Sequence, residues 1–174
     1  MVRREVEFGQ VIGPLHEQMY CRGGGMGVLL TSCGGDGRPN VMTLGWGLFG
    51  SYYHDRCVVV VAVRPACHTF KLLADVPEFA LCVPTPELAE AVSFCGSASG
   101  RDCDKFRETG LTPVPSAHVR PPSIAECPIH VECRIYHPQR PPHMILTPEH
   151  RRAPVHAQHT IYFAEVLGAY VREP

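Results

Sequence analysis

The sequence predicts a mainly β fold, a barrel with short helices inserted between its strands. Three observations predict it. Six or so runs have strand character, several at hairpin spacing. The helix signals are short and fall irregularly among them, and no regular strand–helix alternation of the parallel-sheet kind recurs along the chain. The 174 residues are read as one domain, 1–174, with a Pro/His-rich insert over 137–156. A chain of this length can close a core without disulfides or metal as obligatory supports.

Taken in order, the first strand is Gly27 to Ser32, followed by the turn cluster CGGDGRPN. A second strand runs from Asn40 to Gly47, so a hairpin is expected. Val58 to Arg64 is almost entirely Val and Ala, the pattern of a strand buried on both faces, and it stops at Arg64-Pro65. Thr69 is expected as the N-cap of a helix whose apolar face is Phe70, Leu72 and Leu73, ending before Pro77. Glu78 to Val83 is a strand. Thr85 and Pro86 then open a helix over about Glu87 to Phe94, with Pro86 at its first position. The turn CGSASGRD leads to a short helix around Asp102 to Glu108, stopped by Gly110. Ile124 to Tyr136 is a strand with Ile129, Val131, Cys133 and Ile135 on one side and His130, Glu132 and Arg134 on the other. The last strand runs from about His159 to Tyr170.

Sixteen basic and seventeen acidic side chains leave a formal charge of -1 and a pI near 6.8, which argues against a nucleic-acid partner. No apolar run approaches the roughly 20 residues that cross a bilayer, so no membrane partner is expected. The N-terminus shows no apolar signal segment, and the chain is read as cytoplasmic. On that reading the nine cysteines, an odd number without any C-x-x-C pair, are reduced thiols, several of them packed as small hydrophobes. Five of the ten histidines, His137, His143, His150, His156 and His159, lie in or beside the insert. They lack the helical spacing with a carboxylate that would mark a metal site, and no metal is expected.

Three segments carry chemistry. Asn40 and Trp46, the only Asn and the only Trp, share one strand, with Gly45 and Gly47 leaving room for a flat ring. Six extended residues span roughly 20 Å, so the two could share only a long ligand or a bent strand; a core Trp and a turn Asn are the alternative. In RPACHTFKLL, a helix opened by Thr69 presents unpaired N–H groups beside Arg64 and His68, a phosphate site in outline or an ordinary cap with a surface arginine. In GSASGRDCDKF, Ser97, Ser99 and Gly100 precede Arg101 and Lys105; such a turn can bind anionic oxygens or simply be solvated. Cys67-His68 is an adjacent thiol and imidazole, but neighbours in an extended chain point apart, which argues against a cysteine nucleophile.

Read together, GRPNVMTLGWGLFGS, VAVRPACHTFKLL, EFALCVP, GSASGRDCDKF, GLTPVPSAHVRPPSIAECPIHVEC and QHTIYFAEV resemble the flavin reductase-like family of FMN-binding split barrels, which includes flavoredoxins and related ferric reductases. The resemblance covers about Gly27 to Val171, with the blocks in family order. It implies a six-stranded split barrel and a homodimer holding FMN non-covalently near the subunit interface. By position, Asn40, Val41, Met42, Thr43, Trp46 and Ser51 would line the flavin site, with Trp46 near the ring system. Arg64, His68 and Thr69 would serve the phosphate or ribityl end; Ser99, Gly100 and Lys105 match the SG…DKF block, and His159 opens the last strand. The implied roles are binding and electronic tuning, with no catalytic nucleophile. Lys105 would balance negative charge on the reduced flavin. The chain departs from the family at Ala157-Gln158-His159 and at Ala164-Glu165-Val166, where glycine is usual first in each trio.

The expected function is an FMN-dependent oxidoreductase passing electrons from NAD(P)H or a protein donor to flavin, a ferric chelate or a partner protein. No G-x-G-x-x-G follows a strand, so NAD(P)H would be a transient substrate stacked on the flavin. The alternatives are an FMN-binding electron carrier without NAD(P)H activity and a flavin-free binding module on the same barrel. The insert is read as a lid over the flavin or a dimer arm.

Overall fold

A computed structural model describes residues 2–19, 24–52, 56–143, 154 and 157–173. Its strands are β1 Arg3–Val6, β2 Val28–Cys33, β3 Pro39–Leu44, β4 Gly47–Tyr52, β5 Arg56–Val63, β6 Glu78–Val83, β7 Pro113–Val114, β8 Ser123–Ile124, β9 Ile129–Gln139 and β10 Thr160–Arg172. The helices are α1 Ile12–Met19, α2 His68–Asp75, α3 Ala89–Ser97 and α4 Lys105–Thr109, with single 3₁₀ turns at Phe8–Gln10 and Pro86–Leu88. No helix among the described residues is long and apolar enough to cross a membrane.

The main sheet is antiparallel throughout, in the order β3-β2-β6-β9-β10-β5-β4, with β1 added on β10. β10 organises it. One edge pairs with β9 from Ile161 to Val171, through two register shifts. The other edge is divided: β5 takes Thr160 to Glu165 and β1 takes Ala169 to Arg172.

Period-2 alternation sends side chains to two cores. Val28 and Leu30 of β2, Val59, Val61 and Val63 of β5, and Phe79 and Leu81 of β6 fill the interior enclosed by the sheet, together with Leu15 of α1. Leu29, Val41 and Cys82 point the other way and pack under α3 and α4 against Val92, Cys95 and Phe106. The Val/Ala run of β5 is therefore buried on both faces, as its composition predicts.

The mainly β fold with short helices stands, with eight strands in the main sheet among the described residues where six or so are expected. The structure also corrects several details. The strand expected over Asn40 to Gly47 ends at Leu44; the chain turns at Gly45-Trp46 and resumes as β4. β1 and α1 were not anticipated, because the N-terminal segment carries charges and no alternation. Thr69 is the second residue of α2, whose N-cap is Cys67. α4 starts at Lys105 on the Asp104 cap, which accepts from the Phe106 and Arg107 N–H groups, and Gly110 closes it in the left-handed region at φ 71°. His130 and Glu132 of β9, on the side opposite Ile129, Val131 and Cys133 as expected, are fully buried. Glu132 accepts from Ala117 N at 2.9 and 3.0 Å and from His118 N at 2.6 Å, and Arg3 Nη1 stands 3.5 Å from it. The segment before β8 thus roofs that side of the sheet.

Candidate functional site

A cleft of 410 Å³ opens where the end of β3, the start of α2, the end of α3 and the loop into α4 meet. Asn40 holds three of these together. Its side chain is 6% exposed, and Nδ2 donates to Ser32 Oγ at 3.2 Å and Thr69 Oγ1 at 3.0 Å. Its Oδ1 lies against Gly100: a Cβ built there would collide with Oδ1 and lie 3.1 Å from His68 Cδ2. Only glycine lets the Ser99–Gly100 turn approach so closely. Thr43 Oγ1 donates to Val92 O and ties β3 to α3, while a Cβ on Gly96 would come 3.3 Å from Thr43 Cβ.

The charged groups are equally constrained. Lys105 is 5% exposed, and its Nζ donates to Cys95 O at 2.7 Å. Burial pulls its pKa down, opposed by Cys95, Cys103 and Cys67. His68 has a buried Nδ1 without a hydrogen-bond partner. Its pKa is lowered by burial first and then by Arg101, Lys71, Arg38 and Lys105. His159 is likewise lowered by burial, then by Arg64 and His143, and its carbonyl accepts from His143 Nε2 at 2.7 Å. Arg101 Nη2 donates to Ala66 O at 2.8 Å, fastening the α4 loop to the start of α2. Trp46 stands at the mouth, 46% exposed.

Of the expected site residues, Asn40, Met42, Thr43 and Trp46 line the cleft from β3 and the following turn. Arg64, His68 and Thr69 line it from the start of α2, Ser99, Gly100 and Lys105 from the α4 side, and His159 from the start of β10. The break at Gly45 bends the path that an extended strand would have kept straight. Two residues fall elsewhere. Val41 is 0% exposed and packs in the core beneath α3, on the face it shares with Thr43 but deeper under the helix. Ser51 pairs with Cys57 on β5, five residues from cleft-lining Ala62 and so roughly 17 Å along the strand. Cys67 and Gly96 also line the cleft and were not anticipated. Arg101, a neighbour of the expected Ser99 and Gly100, joins them. Of the insert, residues 144–153, 155 and 156 lie outside the described residues, His150 and His156 among them.

A family model for the flavin reductase like domain matches residues 22–174. Flavoredoxin of Desulfovibrio vulgaris (Miyazaki F) superimposes with a TM-score of 0.68 at 26% identity, over 84% of this chain and 69% of that one. The FMN-binding domain of a flavin reductases-like enzyme from Shewanella baltica OS155 gives 0.67 at 19% identity, over 98% and 77%, a likeness of fold. Among sequences, an uncharacterised protein of Archaeoglobus fulgidus is 37% identical over 98 residues, 56% of this chain and 54% of its own. One from Pyrococcus abyssi is 36% identical over 108 residues, 62% and 60%. The chain matches little more than half the length of these relatives.

Proposed function

Since the chain belongs to the flavin reductase like domain family, we propose that its cleft binds FMN non-covalently and that the protein is an oxidoreductase, passing electrons from NAD(P)H or a protein donor to a flavin, a ferric chelate or a partner protein. The residues fit such a group by their own geometry. His68 Nδ1 is buried without a partner, which is costly unless a polar group completes it. α2 starts at His68, and its first two residues, His68 and Thr69, line the cleft beside Arg64, Arg101 and Lys105. What supports the reading is this convergence of an unpartnered buried ring nitrogen and positive charge in one cleft.

Bound flavin would supply the hydride acceptance and electron transfer. The chain's groups do the rest. Thr69 Oγ1 accepts from Asn40, which leaves its own proton to donate into the cleft. Gly96 and Gly100 keep the wall free of side chains, and Trp46 covers the mouth. The Lys105 ammonium, held on Cys95 O, offsets negative charge across the cleft. We also propose that the protein is a homodimer with its flavin near the interface. Leu48, 63% exposed on the terminal strand β4, stands two residues from Trp46, an apolar edge suited to a second copy.

Titration with FMN, followed by flavin fluorescence, tests the site, and anaerobic addition of NADH or NADPH tests the donor. The expected result is saturable uptake and loss of the oxidised flavin's visible absorbance with one of the two. A bound flavin that stays oxidised with both assigns a protein donor. No uptake overturns the proposal.

A further inference from the structure

A second cavity, of 430 Å³, lies between the β2–β3 turn, α2 and the start of α4. It shares one wall with the cleft: Asn40, His68, Gly100 and Lys105 line both. On its far side stand Arg38 and Lys71, and among the described residues neither enters an ion pair. Of its three carboxylates, two are turned to the backbone. Asp36 Oδ1 accepts from Arg38 N at 3.0 Å, and Asp104 Oδ1 caps α4; Asp75 lies at the end of α2. The unpartnered Nδ1 of His68 belongs to the residue that divides the two spaces. Four cations, Arg101, Lys71, Arg38 and Lys105, act on that imidazole from both sides.

The phosphate of FMN carries about −1.5 to −2 charges at neutral pH. One such group cannot satisfy Arg64 and Arg101 on the cleft side and Arg38 and Lys71 beyond the wall. We propose that the second cavity is a further anion subsite, taking a phosphate of a dinucleotide beyond the single phosphate of FMN: either the second phosphate of FAD or a phosphate of NADPH. The dinucleotide identity rests on the flavin reading of the cleft; the anion subsite rests on Arg38, Lys71 and the shared wall.

Arg38 and Lys71 are exposed, so an Arg38→Ala/Lys71→Ala double variant keeps the core intact. Three measurements at low ionic strength decide the matter. Inorganic pyrophosphate should raise the melting temperature of the wild type clearly more than that of the double variant, which keeps only the cations of the first cleft. FMN affinity should change less than about twofold in the variant, while either the Kd for FAD or the KM for NADPH rises about fivefold or more. Whichever of the two moves identifies the source of the phosphate. The proposal is overturned if pyrophosphate stabilises the wild type no more than the double variant, if neither FAD nor NADPH responds, or if FMN weakens as much as FAD, which would make this cavity the seat of FMN's own phosphate. Failure of the wild type to bind FMN would instead sink the flavin reading, while the pyrophosphate response still reports on the anion subsite.

Discussion

Replacing Asn40 by alanine removes both Nδ2 hydrogen bonds and leaves the Ser32 and Thr69 hydroxyls facing a gap. The expected cost is about 1–3 kcal/mol of stability in urea denaturation, with FMN affinity reduced about tenfold or more, the equivalent of 1.4 kcal/mol. An unchanged FMN titration would remove Asn40 from the site. His130 gives a pH prediction. Burial pushes its pKa down to about 4, with its Nε2 donating to Ile124 O at 2.7 Å. The folded pKa lies below the ordinary 6.5, so the fold prefers neutral imidazole. That contribution is complete above pH 6.5 and is lost as pH falls towards 4. Between pH 7 and pH 4.5 it should amount to about 2–3 kcal/mol, and His130→Gln should flatten this part of the stability profile. Much of the site was legible at this scale. A unique Asn, a unique Trp, one of two lysines and a Thr after an Arg-Pro stop are scarce residues in short patterns. That Val41 and Ser51 lie apart from the cleft was not legible, because it depends on how α3 covers β3 and on the break at Gly45.

Among the elements, β9 shows what a polar side chain in an alternating strand conceals. His130, Glu132 and Arg134 share one side of the strand, and the first two are sealed by the segment from Pro115 to Ile124. Nothing in β9 itself announces that cover. The clamp extends to β1: Arg3 Nη1 donates to Ser123 Oγ at 2.8 Å and Nη2 to Pro115 O at 2.9 Å, and its guanidinium lies 5.0 Å over the Tyr170 ring. Glu132→Gln keeps the shape but loses one acceptor and the charge. It should destabilise by about 1–3 kcal/mol and speed hydrogen exchange at the Ala117 and His118 amides. Exchange unchanged at both would mean the carboxylate does not hold the segment. The β3–β4 break was hidden for a different reason: Gly45, Trp46 and Gly47 continue an alternating pattern, and only the need to turn the sheet edge interrupts it.

For the molecule as a whole, the fold class followed from strand runs and irregular helices, while the order of the strands did not, since pairing partners are set by long-range contacts. The proposed dimer belongs to this scale. Leu48→Asp should yield monomers in sedimentation and weaken FMN binding; a wild type that sediments as a monomer at micromolar concentration would refute the assembly. The divided edge of β10 has a further consequence for biosynthesis. Among the described residues nine strands leave the ribosome before this one, and it joins what they leave apart: β9, already paired with β6, on one edge, and β5, already paired with β4, together with β1 on the other. Until residues 160–172 emerge, the nascent chain carries unclosed sheet edges, the stage at which chaperone capture has the most to hold.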